Sequence, residues 1–257
     1  MFGFRKRKRE KLRATELKSE WKEIINRNVR FYNYLSDDLK TELHGLIQIF
    51  LNEKIFEGCE GLLITDEIKI TIAAQACLLL LGRQNDIYPT LKTILVYPDA
   101  YYAPFNQRME DGSVIEGYQA RLGESWSRGQ IVLAWNEILK DTNDIHDGHN
   151  LIFHEFAHQL DNESGAAEGI PEFDKRSSYI VWARVLTKEY NKLLSEIIQH
   201  KHHLLDNYGA TNPAEFFAVA TEFFFERPME LKNLHPELYE QFKSFYKLDT
   251  AGMFLKK

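Results

Sequence analysis

Phe153-His154-Glu155-Phe156-Ala157-His158-Gln159-Leu160-Asp161 is the stretch whose reading decides the fold. Its H-E-x-x-H spacing lies inside a helical pattern. Phe153, Phe156, Ala157 and Leu160 share one arc, while His154, Glu155, His158 and Asp161 share the opposite one. At 3.6 residues per turn the two imidazoles stand about 40° apart around the axis and about 6 Å apart along it. That separation lets two ring nitrogens reach one tetrahedral metal ion. Glu155 falls about 60° from His158, where it can accept a proton from an activated water without itself being a ligand. An ordinary amphipathic helix with a solvated polar face has the same pattern, so the decision rests on the flanking sequence.

A catalytic zinc site needs three protein ligands and one open position. The extended form with a third His six residues on is excluded, because Asp161 stands in place of its Gly and Ser164 in place of its His. A carboxylate from a later helix remains. The segment from Asn212 to Glu226 is apolar over most of its circumference, with Asn212 placed to cap it and Pro213 at the first helical position. Glu215, Glu222 and Glu226 fall in one narrow line. A buried carboxylate needs a cation or good hydrogen bonds, and metal coordination by Glu215 supplies that. Asn212-x-x-Glu215 also matches a capping box, in which Glu215 bonds back to the Asn212 amide. Spacing alone leaves both accounts open. Glu222 and Glu226 read as solvated or ion-paired, and His146, His149, His200, His202 and His203 read as surface groups.

The charge balance limits the partners. Thirty-two Lys and Arg against thirty-eight Asp and Glu give a formal net charge of −6, which argues against a dedicated nucleic-acid binder. Cys59 and Cys77 lie in unrelated contexts and make no disulfide framework, as expected of thiols in a reducing compartment. The basic amino terminus is not followed by an apolar secretory segment. The longest apolar run, Ile70 to Leu81, is too short to span a bilayer. The expectation is a cytoplasmic protein without membrane or direct nucleic-acid contact.

Outward from the central stretch, Gln130 to Trp135 reads as a strand just upstream, and Thr93 to Tyr97, closed by Pro98, as another. Val114 to Leu122 contributes a further short strand in a loop-rich region. Helices are expected over Glu16–Tyr34, after a Ser36 cap, and after a Thr65 cap through Leu81 to a stop at Gly82. The last of these is apolar nearly all round and so central and buried. Further helices cover Val181 to His203 and Pro236 to Leu248, with a Gly- and acid-rich loop from Asp161 to Phe173. The fold class is α+β, mainly helical, with a small mixed or antiparallel sheet of three or four strands. Residues 1–14 read as a flexible basic tail. Residues 15–257 read as a single domain with a helical part over 15–85 and a catalytic part over 86–257.

His154 to Asp161, together with Tyr208-Gly209-Ala210-Thr211-Asn212-Pro213-Ala214-Glu215-Phe216-Phe217-Ala218-Val219, resembles the Mlc titration factor A family of zinc peptidases. Ile131 to Trp135 and Leu238 to Tyr246 are similar to it too, so the resemblance covers residues from about 90 to 249. Thr250 departs from it, since the family has a Pro after the Asp. The resemblance implies a zincin-like metallopeptidase domain with one zinc ion per chain, held by His154, His158 and Glu215. It implies Glu155 as the general base and Tyr208 as a hydroxyl donor near the metal, an arrangement similar to the anthrax lethal factor peptidase. It also implies aminopeptidase-like cleavage of short peptides and binding of a glucose-responsive Mlc-like repressor. A regulatory binding protein that titrates a transcription factor, its zinc mainly structural, is the rival expectation. Asp161 is expected to orient a ligand His, and the strand Ile131 to Trp135 to be either an edge for an added peptide strand or an internal strand.

Overall fold

The computed structural model describes residues 2–83, 86–108, 114–121, 123–126, 129–163, 165, 168–173 and 176–255. Its amino-terminal third consists of α1 (Phe2–Ala14), α2 (Ser19–Asn28), α3 (Asp37–Glu53), the short strand β1 (Ile55–Gly58) and α4 (Asp66–Leu78). Ser36 and Thr65 cap α3 and α4, their hydroxyls accepting the Leu39 and Ile68 amides at 3.4 and 3.3 Å. α4 buries ten of its thirteen residues, which makes it the central helix its composition demands. Its polar positions are satisfied inside: Asn28 donates to the Thr71 hydroxyl at 2.9 Å, and Gln75 accepts from Asn150 at 2.8 Å.

Two expectations for this region are corrected. Of the stretch read as a flexible tail, Phe2–Ala14 is helical and lies against α3. Leu12 packs on the core, and the Arg9 guanidinium bridges Glu53, at 2.6 Å, and Asp86. Those acceptors lie 44 and 77 residues downstream, so local sequence does not reveal them. The single helix expected over Glu16–Tyr34 breaks after Asn28, whose side chain turns inward to Thr71 and Glu67. A 3-10 helix over Arg30–Tyr34 follows.

Five further strands follow: β2 (Thr93–Tyr97), β3 (Tyr101–Arg108), β4 (Val114–Arg121), β5 (Gly123–Trp126) and β6 (Gln130–Ala134). The main sheet runs β1-β2-β6-β5, with β1, β2 and β6 parallel and β5 antiparallel to β6. β3 and β4 pair separately as an antiparallel ribbon. The sheet is therefore mixed, and β6 is internal, with Ile131 to Ala134 all buried. Gly129 turns the chain into β6 at φ +80°, where a Cβ would lie 2.5 Å from the Thr90 carbonyl oxygen. β1, β3 and β5 have no counterpart in the sequence reading. β1 and β5 are four residues long, and the burial of β1 does not alternate, so a period-2 signal has nothing to register.

The remaining helices are α5 (Trp135–Asn143), α6 (Leu151–Asn162), α7 (Arg176–Ile198), α8 (Pro213–Glu226), α9 (Pro228–Leu234), α10 (Pro236–Tyr246) and α11 (Thr250–Phe254). α6 and α8 pack directly on each other. Behind α8 lies an aromatic block in which Trp182 stacks on Phe242 at 5.3 Å and Phe224 on Tyr246 at 5.6 Å. Burying such rings contributes about 1.5–3 kcal/mol each, so α8 is held rigidly from its apolar side. No helix among the described residues is long and apolar enough to cross a membrane.

Candidate active site

Two caps set the register of the site. The Asn150 side chain accepts the Phe153 amide at 2.9 Å and opens α6, which places His154 and His158 on successive turns. The Asn212 side chain accepts the Glu215 amide at 3.0 Å and opens α8 with Pro213 in its first turn. Half of the capping box therefore forms. The Glu215 carboxylate, the half in question, turns instead toward α6. Its Oε2 lies 3.0 Å from His154 Nε2 and 3.1 Å from His158 Nε2, and the two imidazole nitrogens are 3.2 Å apart.

This triangle tests whether a metal fits. A tetrahedral zinc with bonds of about 2.0–2.1 Å has ligand edges of roughly 3.3 Å, and the three observed edges lie just below that. Among the described residues, His154, His158 and Glu215 form the metal-capable cluster. The charges favour a cation there. Burial opposes ionisation of Glu215, but hydrogen bonds to both imidazoles hold its pKa at about 2. Burial also opposes a charged His154, yet Glu222 and Glu215 push its pKa well above the imidazole range. Negative charge thus converges on the point where the Nε2 atoms and Oε2 meet.

Glu155, 5% exposed, lies on the same helix and lines a cavity of about 1500 Å³ beside the cluster. Tyr208 sits on a 3-10 helix over Asn207–Ala210, whose start is capped by Asp206 accepting the Tyr208 amide at 2.7 Å. Its ring, in a side chain 54% exposed, lies 5.8 Å from that of His154 and lines the same cavity. All five residues singled out in the sequence are brought together. His149 borders the cavity near Asp206, at 3.9 Å, while His203 bonds the Leu205 carbonyl outside the cluster.

Glu222 and Glu226 were read in the sequence as solvated or ion-paired, and Glu222 is indeed paired with His154. Both carboxylates are buried rather than solvated, at 5% and 3% exposure. Glu222 accepts from His154 Nδ1 at 2.7 Å and is thereby its orienting acceptor. Asp161 receives the amides of Gly169 and Ile170, both at 2.8 Å. This draws the following loop against α8, where a Cβ on Gly169 would meet the Pro213 carbonyl oxygen at 2.4 Å. The signal for Glu222 was the apolarity of the helix around it. Burial pushes the Glu226 pKa well up, which favours the neutral acid.

Two imidazoles and a carboxylate from paired helices, at metal-binding separation beside an open cavity, define a metallopeptidase-like protein. The chain belongs to the glucose-regulated metallo-peptidase M90 family, whose model matches residues 4–247. It is 45% identical over 235 residues to an uncharacterised protein of Synechocystis, covering 91% of this chain and 85% of that one. It is 35% identical to Mlc titration factor A of Pectobacterium atrosepticum, covering 85% and 82% of the two chains. With Mlc titration factor A of Serratia proteamaculans it shares 34% identity, over 79% and 77%.

Proposed function

We propose that this protein is a zinc-dependent peptidase of aminopeptidase type, with His154, His158 and Glu215 as the metal ligands. The observation that carries this is the triangle of 3.0, 3.1 and 3.2 Å between two Nε2 atoms and one carboxylate oxygen. Two nitrogens and one oxygen are a common donor set for catalytic zinc, which when bound supplies Lewis-acid polarisation of the scissile carbonyl. Glu155 takes the proton of the attacking water and delivers it to the leaving amine. Tyr208 donates its hydroxyl hydrogen to the developing oxyanion, a contact strongest in the transition state. β5 ends the main sheet and packs against α6, so it offers an edge to an extended peptide. That role passes from β6, which is internal.

Metal analysis after dialysis against zinc, alongside a peptide panel, tests the reading. One zinc per chain and turnover of short peptides are expected; a protein that keeps no metal, or turns over esters and no peptides, sinks it.

A second activity is supported by the names of relatives at 34–35% identity, Mlc titration factor A. This protein binds an Mlc-like repressor in the cytoplasm, where Cys59 and Cys77 stay as free thiols. Repressor capture by a Glu155→Gln variant would show that sequestration needs no hydrolysis, the titrating role on its own. Failure of wild-type protein to capture any such repressor removes the partner and leaves the peptidase.

A further inference from the structure

Glu222 and Glu226 stand one turn apart on α8, and the hydrolysis above uses neither. A carboxylate taken out of water costs several kcal/mol unless well bonded, so what holds these two shows what they do. Glu222 spends one oxygen on His154 Nδ1, at 2.7 Å, and the other on the Asn150 amide, at 2.6 Å. In the neutral imidazole, an Nδ1–H donated to Glu222 leaves the lone pair on Nε2, the atom facing His158 and Glu215 and the one that a bound metal would take. The bond thus sets both tautomer and ring orientation.

Asn150 in turn is fully engaged. Its side-chain oxygen caps α6 at Phe153, and its backbone carbonyl accepts the His154 amide at 2.9 Å. Its side-chain nitrogen donates to Gln75 on α4 at 2.8 Å and to Glu226 at 3.1 Å. One residue at 4% exposure therefore ties the central helix, the His-bearing helix and the Glu-bearing helix together. We propose that Glu222 is a positioning residue that fixes His154 as a metal ligand, and that Asn150, braced by Gln75 and Glu226, fixes Glu222 in turn. This rests on the metal-site reading above.

The test is zinc release. Zinc-loaded wild type and the variants Glu222→Gln, Glu222→Leu and Gln75→Leu are mixed with excess chromogenic chelator, and melting of the zinc-free forms is followed in parallel. Glu222→Leu should release zinc about 10–100-fold faster. Glu222→Gln should fall between it and wild type, because its amide oxygen still accepts from Nδ1–H. Gln75→Leu should accelerate release a few-fold. Cobalt-substituted Glu222 variants should show a shifted visible spectrum, which a role confined to packing would leave in place. Wild-type release rates in both Glu222 variants, or rates that merely follow the loss of zinc-free melting temperature, overturn the proposal. A wild type that holds no zinc overturns the metal reading along with it.

Discussion

The fold buries charge in two contrasting ways. At Lys54, 8% exposed, the ammonium donates to the carbonyls of Ile87, Tyr88 and Leu91 at 2.9, 2.6 and 2.9 Å. Three protons meet three acceptors, and the constellation is closed. Burial lowers the Lys54 pKa to about 8, and the charges of Glu53 and Asp86 favour the charged form against that pressure. At the seam of α6 and α8, Glu155, Glu215 and Glu222 gather with His154 and His158 beside a cavity of about 1500 Å³. There three carboxylates and two imidazoles line a space that a cation and a substrate can reach. The closed arrangement suits a structural role, and the open one suits the binding proposed above.

The largest expected effect breaks the open arrangement without touching its ligands. Glu155→Gln removes the proton acceptor and keeps shape, so kcat for peptide cleavage should fall about 10²–10⁴-fold. Zinc content should be unchanged. Normal turnover in that variant would place the chemistry elsewhere. Next comes Glu215→Ala, which leaves the Asn212 cap intact because the capped group is the residue 215 amide. Zinc affinity should drop by more than the ~10–100-fold typical of an outer-shell partner, measured by chelator competition, with little change in helix content. Full zinc occupancy would return Glu215 to a capping role.

What the sequence disclosed follows the same division. The H-E-x-x-H face, the Asn212 cap and the buried run of α4 are local, encoded within a turn or two of helix, and all were legible, whereas the Asn150 cap of α6 was not read. A small sheet, read as mixed or antiparallel, was legible too, since β2 and β6 carry continuous or alternating apolar runs. Glu222 was not legible. Its partners, His154 and the Asn150 amide, lie 68 and 72 residues away, and nothing within α8 distinguishes an ion-paired carboxylate from one that orients an imidazole. α1 fails for the same reason, its Arg9 depending on Glu53 and Asp86. β5, in turn, has partners on β6 but too few residues to announce itself.

Lys54→Met sharpens the contrast from the closed side. It leaves the carbonyls of Ile87, Tyr88 and Leu91 without their ammonium, so stability should fall by about 2–4 kcal/mol. For a chain of this size that is a melting shift of roughly 5–15 °C. Zinc content and release should match wild type, because no atom of this clamp belongs to the seam. Lost zinc with an unshifted melting temperature would mean that the two constellations are coupled.

The smallest effect belongs to the ion pairs of α1, a third arrangement, partly exposed rather than fully buried. Burial raises the pKa of Glu53, but hydrogen bonds from Arg9 and Arg5 outweigh it and hold the carboxyl at about 2. A depressed carboxyl pKa contributes stability that is present above the unfolded value of 4.5 and is lost as pH falls toward 2. Partly exposed pairs of this kind contribute at most about 1 kcal/mol, less in salt. Arg9→Ala should therefore melt slightly below wild type at pH 6, and the gap should narrow between pH 4.5 and 2. Raising the ionic strength at pH 6 should narrow it as well. A gap that survives at pH 2 and in high salt would assign the contribution of Arg9 to its apolar stem lying on α3, not to its charge.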